Sequence, residues 1–258
     1  MIEIAFSPCP NDTFIFNDLA HQSDITAHIY DVEQLNRLAL TGRYDVTKLS
    51  FHAWLLLRDT YQLLEVGAAL GRGCGPLVIS RKAEPLPQRP RVALPGELTT
   101  AHLLYRLCYG DRAEKVFMPF HQIMDALGAG KVDAGVIIHE GRFVFKKRGF
   151  HCVQDLGLWW ERETGLPIPL GCIAVRRNLG KEVISDIEHR LSKSIELAFA
   201  HPEKTHEYVR THAQELDSVV MEEHIKTYVN TFTRGLGKEG RAAVIELEKR
   251  ALAAGVIS

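Results

Sequence analysis

His139 is the residue best placed to do chemistry. It closes the stretch Gly130-Lys131-Val132-Asp133-Ala134-Gly135-Val136-Ile137-Ile138-His139-Glu140-Gly141-Arg142-Phe143. The run from Ala134 to Ile138 carries no charge and is too short for a helix, so it reads as a buried strand. In open α/β sheets ligands collect beyond the carboxyl ends of strands, and an imidazole there can move a proton near neutral pH. A histidine that only hydrogen-bonds a loop is the alternative.

A second stretch repeats the design. Gly42-Arg43-Tyr44-Asp45-Val46-Thr47-Lys48-Leu49-Ser50-Phe51-His52 also runs helix, Gly-x-x-Asp, short strand, polar strand end. Ser50 and His139 stand at similar offsets after Asp45 and Asp133. The recurrence suggests two similar α/β lobes, each aiming one strand end at a shared cleft. Ser50 also suits the N-cap of a following helix, and Lys48 could be a solvated strand-edge charge.

The elements that must hold these groups follow from hydrophobic patterning. Strands are expected over 3–7, 26–30, 46–49, 63–70, 76–80, 91–94, 115–118, 151–156 and 171–176, besides the His139 strand. Between the first strand and its helix lies Ser7-Pro8-Cys9-Pro10-Asn11-Asp12-Thr13-Phe14, a stiff turn in which Asn11 or Asp12 can cap a helix running to about Ala20. The free N–H groups of that helix start suit an anionic or carbonyl group. Pro95-Gly96-Glu97-Leu98-Thr99-Thr100-Ala101-His102 has the same character. Thr99 or Thr100 can cap the helix to about Tyr109 while offering a hydroxyl and an N–H to a carboxylate, or can serve as a cap alone. Gly71-Arg72-Gly73-Cys74-Gly75 lacks the Gly-Lys-Ser/Thr of a phosphate loop. The segment 141–148, basic and aromatic, is expected to cover the cleft, and Trp159 and Trp160 to serve as core.

Prolines 85, 87 and 90 mark one linker, and Pro167 and Pro169 a second. Two linkers imply two chain crossings, with a first lobe of 1–84 plus 171–258 and a second of 85–170, the ligand lying between them. From Lys181 onward the chain reads as a helical tail. Ile184, Ile187, Leu191 and Ile195 form one apolar stripe, and Val244, Leu247 and Leu252 another, both expected against the first lobe. Glu215, Glu222, Glu223, Glu246 and Glu248 read as solvated helix faces.

Composition sets the class. The 258 residues are 46% hydrophobic and 24% charged, with a formal net charge of -1, as in an ordinary globular protein without a nucleic-acid signature. No apolar run reaches the ~20 residues of a membrane helix, and Met1-Ile2-Glu3-Ile4-Ala5-Phe6 does not read as a signal peptide. Five scattered cysteines without a Cys-x-x-Cys pair suggest neither disulfides nor zinc, and a reducing cytoplasm.

Two α/β lobes joined by a double crossover, with a C-terminal helical tail, describe the periplasmic-binding-protein-like architecture. The stretches 7–14, 47–53 and 136–143 resemble the 1,4-dihydroxy-6-naphthoate synthase family of the futalosine route to menaquinone, and the resemblance spans nearly the whole chain. It implies a carbon–carbon lyase that converts cyclic dehypoxanthine futalosine to 1,4-dihydroxy-6-naphthoate and a three-carbon fragment, with no metal or organic cofactor. It further implies His139 as the base. Lys48, Leu49 and Ser50 at the strand end, and Thr99, Thr100 and Ala101 at the helix start, are implied as substrate contacts. Leu49 stands where the family more often carries valine, a swap conservative in size. Asn11 and Thr13 are expected to hold the other end of a small-molecule carboxylate substrate. The rival readings are a chorismate dehydratase-like enzyme of the same pathway and a non-catalytic solute-binding protein. Neither nucleic acid nor membrane is an expected partner.

Overall fold

The computed structural model describes residues 1–213 and 217–257. The first elements are β1 (Ile2–Phe6), α1 (Pro10–Ala20), β2 (Ile25–Ile29), α2 (Val32–Ala39), β3 (Val46–Ser50), α3 (Phe51–Leu57), β4 (Tyr61–Leu63) and β5 (Ala69–Gly71). There follow β6 (Leu77–Ser80), β7 (Arg91–Leu94), α4 (Thr100–Tyr109), β8 (Glu114–Phe117), α5 (Ile123–Gly128), β9 (Ala134–Ile137), α6 (Gly141–Val144) and β10 (His151–Asp155). The chain closes with α7 (Leu156–Thr164), β11 (Ile168–Arg176), α8 (Lys181–Ala200), α9 (His206–His212), α10 (Ser218–Tyr228), α11 (Thr231–Arg234) and α12 (Gly237–Ala253).

These strands form two sheets. The first has the order β2-β1-β3-β11-β4, with β5 also on β11, and the second β10-β6-β9-β7-β8. In the first, β1 lies parallel between β2 and β3, while β11 returns antiparallel to β3 with Gly171 opposite Ser50. In the second, β7 is parallel to β8 and β9, while β6 is antiparallel to β9. Parallel neighbours bring the carboxyl ends of β1 and β3, and of β7 and β9, to one edge of each sheet. That edge is where the loops bearing the polar residues emerge.

The first crossing falls earlier than the prolines suggest. β6 pairs with β9 and β10, so the second sheet begins at Leu77, inside the span 1–84 assigned to the first lobe from sequence. The proline-rich segment 81–90 joins β6 to β7 within the second sheet, and the chain passes between sheets through the glycine-rich loop after β5. The return lies between β10 and β11. Pro169 is inside β11, where the pairing with β5 shifts register between Pro169 and Gly171. Proline is accommodated at such an irregularity because no ladder N–H is needed there. The two crossings pack on each other: a Cβ on Gly157 would lie 1.8 Å from the Cys74 carbonyl oxygen, so only glycine fits. The single strand read over 63–70 is two short ones, β4 and β5.

One core runs across both sheets, from Leu49 and Cys172 through Leu94 and Leu104 to Trp160 and Leu247. Trp160 is fully buried and donates its indole N–H to the Pro167 carbonyl. The stripe Ile184, Ile187, Leu191 and Ile195 of α8 joins Ile4, Phe6 and Phe14 beneath the first sheet. Ser194 fixes the fit, donating to the Ile15 carbonyl at 2.7 Å. On α12, Val244 and Leu247 belong to the core shared by both sheets, not to the first lobe alone, and Leu252 is exposed. Ala251 takes the inward position instead. Glu222 and Glu223 are exposed, Glu246 and Glu248 half-buried, and Glu215 lies outside the described residues.

Candidate active site

The site is built where the carboxyl ends of β1, β3 and β9 meet the start of α4 and one face of α10. A cavity of about 90 Å³ opens there, lined by Ser7, Asn11, Lys48, Ser50 and the stretch Thr99–Ala101, and by His139, His224 and Tyr228 among others.

β1 ends in Ser7 and the two prolines. Pro10 occupies the first helical position of α1, where its missing N–H costs nothing. The N-cap is Cys9, whose carbonyl accepts from the N–H groups of Asp12 and Thr13. Asn11 and Asp12 are therefore inside the helix, not capping it, and their side chains are free for other partners. Asp12 is 1% exposed and accepts from the Ser7 hydroxyl at 2.6 Å, the Asn11 amide at 2.8 Å and the Lys48 ammonium at 2.6 Å. A buried carboxylate needs this many donors to offset lost hydration. Gly171, facing Ser50 on β11, lets Lys48 pass: a Cβ there would sit 2.9 Å from Lys48 Cε.

On β3 side chains alternate. Lys48 and Ser50 line the cavity, whereas Leu49 is fully buried in the shared core. Ser50 sits at the start of α3 but makes no capping bond. Asn36 of α2 holds it instead, accepting from the Ser50 N–H at 2.9 Å and donating to its hydroxyl oxygen at 3.0 Å. The Ser50 hydroxyl proton stays available to a ligand.

The start of α4 is tied to the first lobe. Asn36 also donates to the Leu98 carbonyl, Glu33 accepts from the N–H groups of Glu97 and Leu98, and His52 bonds the Thr99 carbonyl. Thr99 caps α4, accepting from the His102 N–H. The Thr100 hydroxyl donates to the Leu170 carbonyl at 2.6 Å and accepts from the His52 N–H. Both hydroxyls are engaged. Thr100 and Ala101 line the cavity at the first turn of α4, where N–H groups have no intrahelical acceptor. Thr13, by contrast, turns its hydroxyl back to the carbonyls of Cys9 and Pro10 and lies outside the cavity lining.

His139 follows β9 with φ of 54°, the one non-glycine residue with positive φ among the described residues. Such a left-handed residue is strained and persists where its surroundings over-determine it. Its Nδ1 lies 3.4 Å from Cys9 Sγ, Phe120 packs edge-on at 4.9 Å, and the His224 ring stacks at 6.0 Å. Burial pushes the His139 pKa below the ordinary imidazole value, against the opposing pull of Glu140 and Asp12. The ring is neutral at pH 7, so one of its two nitrogens carries a lone pair. Burial also pushes the Cys9 thiol up, far above neutral, so sulfur stays protonated. The segment 141–148 does not line the cavity. Its Arg142 is spent on the first crossing, donating to the Gly75 and Gly73 carbonyls and to Asp155 at 2.7 Å.

The sequence pattern alone does not point to Asp12, Asn36 or His224 as site residues. His224 of α10 had a signal in the sequence: Met221, His224 and Tyr228 share the buried face of one helix, and an imidazole on such a face asks for a partner. Its Nε2 lies 2.9 Å from Asn11 Oδ1.

Two linked lobes around a buried polar cleft are the periplasmic-binding-protein-like fold, and the likeness covers the whole molecule. An alkanesulfonate-binding protein from Xanthomonas axonopodis superposes with a TM-score of 0.69 at 14% identity, over 100% of this chain and 94% of that one. A protein from Archaeoglobus fulgidus matches far more closely, with a TM-score of 0.94 at 37% identity over 99% and 98% of the two chains. The model of a menaquinone biosynthesis family matches residues 2–253. The 1,4-dihydroxy-6-naphthoate synthase of Streptomyces coelicolor is 44% identical, over 99% of this chain and 94% of its own. That of Thermus thermophilus is 45% identical, over 99% and 95%. The chain belongs to the 1,4-dihydroxy-6-naphthoate synthase family and is an enzyme.

Proposed function

We propose that this enzyme converts cyclic dehypoxanthine futalosine to 1,4-dihydroxy-6-naphthoate and a three-carbon fragment, with His139 as general base. The observation that carries the reading is the half-buried, neutral imidazole of His139, held in a strained conformation at a cleft with hydrogen-bond donors on the facing wall. The imidazole takes a substrate hydroxyl proton, the oxygen's electron pair closes a carbonyl, and the adjacent carbon–carbon bond breaks. The released electrons enter the ring that becomes the naphthol, so aromatisation supplies much of the driving force. The Ser50 hydroxyl and the N–H groups of Thr100 and Ala101 suit the substrate carboxylate, with the start of α4 adding its positive end. Asn11 lines the other wall. Low solvent access strengthens each of these bonds. The five cysteines are all free thiols, consistent with work in a reducing cytoplasm. No helix among the described residues is long and apolar enough to cross a membrane.

The test is direct. Purified protein incubated with cyclic dehypoxanthine futalosine should develop the naphthoate absorbance, and His139→Asn should abolish most of it while still binding substrate. Turnover of chorismate instead, or tight binding without product, would replace this reading.

A further inference from the structure

His224 is an anomaly that the base and the carboxylate-binding groups leave unexplained. It is 1% exposed, comes from the helical tail and lines the same cavity as His139. Its protonation is fixed by a chain of bonds. Asn11 donates its amide to Asp12 Oδ1 at 2.8 Å, which places the Asn11 carbonyl oxygen toward α10. That oxygen, 2.9 Å from His224 Nε2, can only accept, so the imidazole proton sits on Nε2. Nδ1 is then a bare acceptor. It is buried and has no hydrogen-bond partner among the described residues. Asp12 thus reaches through Asn11 to set the tautomer, and Lys48 anchors Asp12. A buried acceptor without a partner costs stability unless something completes it, and this one belongs to a side chain that lines the cavity.

We infer that His224 is a second substrate-contacting residue, whose Nδ1 accepts a hydrogen bond from a substrate hydroxyl while the Asn11–Asp12–Lys48 chain holds its tautomer. The inference rests on the proposed lyase reading and adds a residue to it. His139 removes a proton. His224, its ring nearly parallel at an interplanar angle of 16°, holds a hydroxyl without taking its proton and so orients the hydroxylated part of the substrate against the base. The helical tail becomes a wall of the site that reads hydroxyl groups.

Three variants separate the two nitrogens. His224→Gln keeps a donor near the Nε2 position for Asn11 but has nothing at Nδ1. His224→Asn keeps an acceptor near Nδ1 and gives up the Asn11 bond. His224→Phe keeps only the ring. With cyclic dehypoxanthine futalosine as substrate, His224→Gln and His224→Phe should lose about tenfold or more in kcat/KM, the value of one hydrogen bond. His224→Asn should recover most of that loss. Wild-type-like kcat/KM in His224→Gln, or no recovery in His224→Asn, overturns the inference. A wild-type protein that forms no naphthoate sinks the lyase reading itself, which keeps the two failures apart. A measurement on the unaltered protein covers any folding defect. In imidazole-¹⁵N spectra the Nδ1 signal of His224 should sit at the unprotonated position and move upfield when 1,4-dihydroxy-6-naphthoate is added. A protonated Nδ1, or a signal that the product leaves unmoved, also overturns it.

Discussion

Lys48 of β3 and Asp12 of α1 meet at 2.6 Å, their side chains 6% and 1% exposed. Both are shut away from bulk water, and among the described residues neither makes a second ion pair. The contact joins the two strand ends that open the first lobe and holds the first link of the chain running through Asn11 to His224. A buried pair of this kind is weak evidence of net stabilisation, because desolvation offsets the attraction. Its use is to hold a geometry.

Breaking one side of this pair should be far worse than removing both. Asp12→Ala leaves an ammonium buried without its partner and is expected to cost about 3–5 kcal/mol. Lys48→Met leaves a carboxylate that still accepts from Ser7 and Asn11, so its cost should be smaller. The double variant should fall well short of the sum. Urea unfolding of the four proteins measures the coupling, and strict additivity would show that the contact is incidental.

The acid limb of activity should lie lower than a free imidazole would place it. Burial depresses the His139 pKa from 6.5, and the base acts in its neutral form. Lowering the pH from 7.5 through 6.5 should therefore leave kcat/KM nearly flat, with loss only at more acid values. His139→Asn should reduce kcat by about 10²–10⁴ and abolish that limb. A wild-type midpoint at or above 6.5 would mean that the titrating group is another one.

Stability should also fall in acid, for a related reason. His52, pushed down from 6.5 to about 4 mainly by burial, is joined by His102, His139 and His224, all depressed. Between those values the unfolded chain binds protons that the folded chain refuses. Stability is thus complete above pH 6.5 and is lost as the pH drops toward about 4. His52 alone accounts for about 3 kcal/mol at the acid end. Urea midpoints at pH 7.5, 6, 5 and 4.5 should decline, and His52→Gln should decline less. Parallel curves for the two proteins would remove His52 from the account.

The strand-end pattern is legible in the sequence because it is local. Asp45 and Asp133 precede short apolar runs, and the polar residue closing each run has to emerge at a sheet edge, so Ser50 and His139 can be placed from the chain alone. Charge partners and crossings are not local. Lys48 has the look of a solvated edge charge until the fold brings Asp12, 36 residues away, to meet it. The prolines of 81–90 are the strongest break in the sequence, yet they only turn a loop between β6 and β7. The true crossing is marked by Gly157, whose close approach to Cys74 leaves no trace in periodicity. His224 is hidden by its setting in a helix that pattern alone assigns to a structural tail.

Thr13 offers the sharpest contrast between a residue's type and its place. Its motif neighbours line the cavity, but its hydroxyl bonds the Cys9 carbonyl at 3.2 Å and the Pro10 carbonyl at 3.3 Å, within its own helix. Thr13→Val keeps the shape and removes only those bonds, so stability should fall by about 1 kcal/mol while KM stays within about twofold of the wild type. Ser50→Ala should do the reverse. It removes a hydroxyl of the cavity lining, and it should raise KM about tenfold. The remaining Asn36 contacts to the Ser50 N–H and the Leu98 carbonyl keep the lobes in register. Michaelis constants for the two variants, with thermal midpoints alongside, decide the matter. A large KM change in Thr13→Val would return that residue to the substrate-binding set.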